Sequence, residues 1–188
     1  MTTILVKDNV MYGDGQMTGA YVSEYKAKKI KNYGCAIVGG AGRWASVVKF
    51  HDWVYDKLLT EEAQNTYPET RVVMPEDLVE EDFGGLILYP DGRVIEFEGG
   101  GNSFEVNQPV AIGSGSPFAM ACALNDIDGV KCIETAIHLD VGTGGEIQVE
   151  SFPEEEEPKT REELEAMSKE DLLKHFIGDE EEQNDNED

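Results

Sequence analysis

Four side chains have chemistry to offer beyond packing: Thr2 in "MTTIL", Asp14 in "GDGQ", Lys29 in "AKKIK" and Ser114 in "GSGS". Removal of Met1 leaves Thr2 with a hydroxyl nucleophile and an α-amine on one residue. Such an amine titrates near pH 8 (about 7.7–8.0 in model peptides), so it can serve as the base for its own hydroxyl. Each residue also has a plain reading. "MTT" is an ordinary start before a strand, and Asp14 a turn residue. Lys29 belongs to the basic surface stretch "KAKKIKN", and Ser114 is a helix cap.

The elements that would hold these residues follow from local patterning. "TTILVKDNVMYGDGQ" reads as two strands joined at Asp8-Asn9, a hairpin turn pair. "AYVSEY" reads as a further strand, and "CAIVGG" as a buried one. "RWASVVKFHDWVYDKLL" has helical spacing, with Trp44, Val47, Val48, His51, Val54, Tyr55 and Leu58 on one face. Thr60 is placed to cap a short second helix over "EEA". A Pro-punctuated connection follows, then "GLILYPDGRVIEFEG" as a strand, turn and strand. "PVAIGSGS" is a strand ending in glycines. Ser116 is placed to cap a helix over "PFAMACALN", "VKCIETAIHLDV" a second amphipathic helix, and "EIQVESF" a last strand. Strands arrive in hairpins rather than singly between helices. That argues against a doubly wound parallel sheet and fits two antiparallel sheets with helices outside.

The chain has 188 residues and a net charge of −24. Residues 153–188 hold 16 acidic and 4 basic side chains, half of that net charge. We therefore divide the chain into a globular domain over 1–152 and an acidic, largely disordered tail over 153–188. Two short helices are expected within "TREELEAMSKEDLLKHFIGD". This charge argues against non-specific binding to nucleic acid or anionic lipid, and favours solubility or a basic protein partner. No apolar run is long enough for a membrane span. Cys35, Cys122 and Cys132 show no C-x-x-C pattern and read as reduced, buried small residues of a cytoplasmic protein. His51, His138 and His175 lack metal-ligand spacing.

Six motifs occur in order along residues 2–152: "TTI" at 2–4, "GDGQ" at 13–16, "KKI" at 28–30, "GGAG" at 39–42, "AIGSGSPFA" at 111–119 and "DVGTGG" at 140–145. In this set the chain resembles the proteasome β-subunit family of N-terminal nucleophile (Ntn) hydrolases, closest to its bacterial HslV type. The resemblance implies an α+β fold, the four-layer αββα sandwich. It implies Thr2 as nucleophile, Asp14 and Lys29 as the buried pair beside it, and Gly42 as the backbone N–H for the oxyanion. It further implies Ser114 as partner of the terminal amine, with Asp140 and Thr143 in support. Carbonyls of Ile137, Asp140 and Thr143 would hold a monovalent cation, sodium, which the peptide-bond chemistry itself does not require.

The activity implied is a threonine-type endopeptidase degrading unfolded proteins inside a homo-oligomeric ring, fed by an AAA+ ATPase. The alternatives are an Ntn amidohydrolase acting on a small amide, or a non-catalytic proteasome-like ring or scaffold protein. The specificity pocket would be lined by Met17, Ala27, Lys31, Gly40 and Trp44, with a preference for small or acidic residues. The chain departs from the family pattern at "GRWAS", where Ser46 takes the place of an acidic residue, and in its acidic tail.

Overall fold

A computed structural model describes residues 2–18, 22–23, 27–60, 74–78 and 83–153. The elements in chain order are β1 (Thr3–Lys7), β2 (Val10–Gly13), β3 (Met17–Thr18), β4 (Val22–Ser23), β5 (Ile30–Asn32), β6 (Ile37–Ala41) and α1 (Trp44–Val54). There follow β7 (Gly84–Leu88), β8 (Val94–Glu98), β9 (Ser103–Val106), β10 (Val110–Gly113), α2 (Ser116–Ala123), α3 (Gly129–Leu139) and β11 (Gln148–Ser151). Met1–Phe152 is one compact unit. The two helices expected in the tail lie outside the described residues, as does most of the strand expected over "AYVSEY".

Two antiparallel sheets form the centre. One has the order β10-β1-β2-β11, the other β5-β6-β7-β8-β9. The turn between β1 and β2 puts Asp8 and Asn9 at φ 54° and 60°. Asp and Asn tolerate this left-handed region better than other side chains, and the mirror-image turn matches the strand twist. Register then follows, with Ile4 opposite Gly13 and Lys7 opposite Val10.

Alternation along β1 sorts its side chains between two cores. Ile4 and Val6 pack between the sheets with Met11, Ile30, Ile37, Leu86 and Leu88. Leu5 points the other way, against Tyr12, Ala119, Cys132, Ile133 and Ala136 of the α2–α3 layer. A third core lies where α1 covers the second sheet, around Val47, Phe50, Phe83, Ile87 and Phe97. Three cores between four layers make the αββα sandwich.

Several local expectations change. The buried face of α1 is centred on Phe50, whose ring meets Phe83 and Phe97 edge-on at 5.2 and 5.3 Å. Trp44, Val48 and Tyr55, expected on that face, are 37 %, 39 % and 52 % exposed. Helical spacing put Trp44 on the same face as Val47, His51 and Val54, but the buried stripe is narrower and centres on Val47, Phe50, His51 and Val54, which meet the sheet.

A π-helical turn, Tyr55–Leu59, continues α1. The Thr60 hydroxyl donates back to the Asp56 carbonyl at 3.4 Å, so it closes this helix; the helix expected over "EEA" lies outside the described residues. Ser116 is the first residue of α2 rather than its cap, which is Gly115. Asp128, not singled out in the sequence, caps α3 by accepting from Val130 and Lys131 N–H. Strand β9 was missed because its burial is too shallow to leave an apolar alternation. Cys132 is buried as expected, but Cys35 is exposed.

Candidate functional site

The site assembles where β1 begins, at the meeting of both sheets with the loop after α3. Thr2 is 3 % exposed, Thr3 and Asp14 are fully buried, and Lys29 is 3 % exposed. Asp14 follows the last residue of β2, and its amide donates to the Thr3 carbonyl at 3.1 Å. That bond extends the β1–β2 pairing by one step and fixes the carboxylate beside the chain start. The carboxylate then collects four donors. Its Oδ1 accepts from the Thr3 N–H at 2.9 Å and from Lys29 Nζ at 2.8 Å. Its Oδ2 accepts from the N–H groups of Gln16 at 3.2 Å and Gly144 at 3.0 Å.

Burial holds the Lys29 ammonium below the ordinary lysine range, and the Asp14 charge and hydrogen bond oppose that shift without cancelling it. The structure thus brings Asp14 and Lys29 together as expected. Asp14 Oδ1, the oxygen that holds Lys29, also holds the N–H of the peptide that joins Thr2 to Thr3.

A second cluster converges from the loops. Ser114, just past β10, donates through Oγ to Asp140 Oδ2 at 2.6 Å. Its hydroxyl is therefore engaged with a carboxylate 26 residues away instead of capping α2. Thr143 Oγ1 donates to the same oxygen at 2.6 Å, and the Gly142 N–H donates to Asp140 Oδ1 at 3.1 Å. Burial raises the Asp140 pKa, but the Ser114 and Thr143 hydroxyls and the Gly142 N–H together outweigh it and hold the carboxyl below its usual range. Asp140 sits there because α3 ends at Leu139, where its own N–H still bonds to the Ala136 carbonyl at 2.8 Å.

Thr3 joins the two clusters. Its N–H belongs to the Asp14 group, and its Oγ1 lies 2.6 Å from Thr143 Oγ1. The Gly144 N–H makes a second bridge, following Thr143 in sequence and donating to Asp14. Thr3 was expected to be a strand residue and no more. Strand alternation holds the missed signal: Thr3 shares its face of β1 with Leu5, toward the helices and the α3 loop.

Two glycines make room for this. Gly113 has φ +92°, and a Cβ there would run into the Thr2 carbonyl oxygen. A Cβ on Gly115 would run into Thr3 Oγ1 and crowd Thr143 Oγ1.

Gly42 lies between β6 and α1 at φ +126°. It joins neither hydrogen-bond cluster by any bond described above. Its neighbour Ala41 borders Gly113, which in turn borders Thr2. Ile137 stands apart, its half-buried side chain packed into the α2–α3 layer. Among the expected pocket residues, Lys31 is exposed with its ammonium 4.8 Å over the Tyr33 ring. Ser46 is buried on α1.

His51 and Gln148 also reach the site, though neither was singled out for it. His51 Nε2 lies 3.2 Å from the Lys29 carbonyl, and among the described residues its Nδ1 has no hydrogen-bond partner. Gln148 bonds to the backbone at Ala27, Lys29 and Ile30. No group of three or more His, Cys, Asp or Glu side chains suited to a metal occurs among the described residues. No helix among them is long and apolar enough to cross a membrane.

No family model matches the chain, and no curated protein matches it. Among solved structures it is similar to eukaryotic HslV from Trypanosoma brucei, with 24 % sequence identity and a TM-score of 0.61. The match covers 79 % of this chain and 98 % of the HslV chain. At that identity the likeness is one of architecture, and it agrees with the two sheets and three cores described above: the chain has the αββα fold of the HslV-type Ntn hydrolases.

Proposed function

We propose that the chain is a threonine-type endopeptidase, with Thr2 as nucleophile after removal of Met1. One observation carries this reading. A single oxygen, Asp14 Oδ1, holds both the buried Lys29 ammonium and the Thr3 N–H, the amide on the carboxyl side of Thr2. A fold kept only as a scaffold has no use for an ion pair buried beside its first residues, because such pairs are costly to desolvate.

The chemistry follows from these groups. The Thr2 Oγ attacks the scissile carbonyl while its proton passes to the freed α-amine, which titrates near pH 8 (about 7.7–8.0). The new C–O bond forms a tetrahedral centre whose oxyanion the Gly42 N–H stabilises. The C–N bond then breaks, and the departing amine takes the proton from the Thr2 ammonium. Water, deprotonated by the same amine, hydrolyses the ester and frees Thr2. Lys29 lowers the energy of the developing alkoxide through its charge, and Asp14 keeps the ammonium in place. Ser114, oriented by Asp140, lies in the cluster that steadies the terminal amine.

A monovalent cation suits the end of α3. Carbonyl oxygens there are hard donors, and those of the last helical turn have no partner further along the helix. Ile137, Asp140 and Thr143 would hold it through their carbonyls, although the Asp140 carbonyl already accepts the Thr143 N–H at 3.0 Å. Such an ion would stiffen the loop that carries Thr143 and Gly144.

The same reading includes a cytoplasmic homo-oligomeric ring, unfolded chains as substrate and an AAA+ ATPase that supplies them. The direct test combines intact mass, native mass and turnover of an unfolded substrate. The expected results are loss of Met1, a ring, and activity in the wild type that Thr2→Ala lacks. Equal activity in the two would overturn the mechanism. Turnover of small amides alone would favour an amidohydrolase.

A further inference from the structure

Lys29 depends on more than Asp14, because its backbone lies at the margin of a sheet. Strand β5 is an edge, pairing with β6 alone in its sheet. Among the described residues, the segment that enters it, Ala27–Lys29, has no strand on its outer side. Buried edge N–H and C=O groups must still find partners. Here Ala27, Lys29 and Ile30 are 5 %, 3 % and 1 % exposed.

The partner is one side chain from the other sheet. Gln148 opens β11, the edge strand of the first sheet, and sits opposite Gly13 in register. Its Nε2 donates to the Ala27 carbonyl at 2.6 Å. Its Oε1 accepts from the Lys29 N–H at 3.0 Å and lies 3.5 Å from the Ile30 N. The Lys29 carbonyl is held from its other side by the Gly40 N–H and by His51 Nε2, each at 3.2 Å. From this grip the Lys29 side chain runs to Asp14.

We infer that Gln148 is a positioning residue for Lys29: its amide stands in for a missing strand and sets where the ammonium meets Asp14. The residue type matters. An amide offers donor and acceptor on one planar group, as a peptide unit does. Leucine supplies neither, and glutamate loses the donor to Ala27. Asparagine is one methylene short. Nothing about position 148 betrays this in sequence, where a polar residue in a half-exposed strand is unremarkable. The inference rests on the peptidase reading for its effect on turnover, but not for its effect on Lys29 itself.

Two readouts on the full-length protein test it. The first is the kcat and KM of a short peptide for Gln148→Leu, with Val149→Thr as a control on the same strand. A reactive group displaced by about 1 Å costs on the order of 10²-fold. Gln148→Leu is expected to lower kcat by roughly 10- to 100-fold at nearly constant KM, with Val149→Thr close to wild type. The second is an NMR titration of the Lys29 side chain, which needs no turnover. Loosening the segment admits water, so the Lys29 titration is expected to move upward toward the ordinary lysine value. Should Gln148→Leu not fold, Gln148→Glu keeps the acceptor for the Lys29 N–H and is expected to show smaller shifts in the same directions. Wild-type kcat together with a wild-type Lys29 titration in a folded Gln148 variant would overturn the inference. A wild type without peptide turnover would overturn the peptidase reading alone, leaving the titration to decide on Gln148.

Discussion

Asp14 holds Lys29 at 2.8 Å, yet the two partners are unequally supported. Asp14 also accepts the N–H groups of Thr3, Gln16 and Gly144. Truncating the lysine leaves the carboxylate with three backbone donors, whereas neutralising the aspartate leaves a buried ammonium facing an amide. Asp14→Asn is therefore expected to destabilise the protein by about 3–5 kcal/mol, and Lys29→Met by clearly less. Denaturant unfolding of both variants measures the difference; equal losses would contradict the asymmetry. Both should lower turnover on the order of 10²-fold or more. Lys29→Arg should not restore it, because the planar guanidinium does not fit a site built around a compact ammonium.

Thr2 and Thr3 should separate chemistry from scaffolding. Thr2→Ala is expected to abolish peptide hydrolysis with little change in stability. Thr3→Ala removes a hydroxyl bonded to Thr143 in a fully buried position. It should cost about 1–3 kcal/mol while sparing much of the turnover. Thr3→Ser, which keeps the hydroxyl, should recover most of that stability. Unfolding midpoints and peptide turnover measured on the three variants check the division.

Gly113 carries both a backbone and a steric requirement. Its φ of +92° disfavours any side chain, and the Thr2 carbonyl occupies the space a Cβ would need. Gly113→Ala is expected to destabilise by on the order of 2 kcal/mol or more and to displace Thr2. Thermal unfolding and peptide turnover should fall together, while Gly34→Ala, at a position open to solvent, should leave turnover unchanged.

His51 makes stability depend on pH. Burial holds its imidazole below the ordinary value of 6.5, aided by the nearby Lys31 charge and opposed by the Lys29 carbonyl and Asp52. The unfolded chain therefore takes up this proton at higher pH than the folded chain. Where the unfolded state binds more protons, stability rises with pH, so His51 lowers stability as pH falls below about 6.5. The loss stops growing once the folded imidazole is itself protonated. His51→Gln can still bond to the Lys29 carbonyl without titrating. Its melting temperature is expected to drop less than that of the wild type between about pH 7.5 and pH 5; an identical pH dependence would count against this origin.

The acidic segment beyond Phe152 is expected to act on partners and not on chemistry. Residues 153–188 carry half of the net charge of −24. A chain ending at Phe152 should keep full peptide hydrolysis and lose salt-sensitive binding to a basic partner such as the proposed ATPase. Faster entry of unfolded protein without any ATPase would instead identify the segment as a gate. Unchanged binding and unchanged entry would leave it a solubility element.

Local signals account for most of the sandwich. The Asp8-Asn9 turn, the alternation of Ile4 and Val6 against Leu5, and the apolar strands at 37–41 and 84–88 each follow from steric and burial rules acting over a few residues. They made the hairpins legible, and six short motifs in order pointed to the fold. Local rules are too weak at two places. Strand β9 buries little, and the face of α1 turns on Phe50 because of Phe83 and Phe97, which are distant in sequence. The site divides in the same way. Asp14, Lys29, Ser114, Asp140 and Thr143 stand in the short motifs, and the fold brings Asp14 to Lys29 and both Ser114 and Thr143 to Asp140.

What only the tertiary structure decided is how these residues meet. Thr3 bonds to Thr143 across 140 positions, and Gln148 bonds to Lys29 across 119. No sequence pattern encodes such pairs. They exist because two sheets stack, their edges fall side by side, and the buried polar groups left there must be satisfied by whatever side chain the other sheet presents.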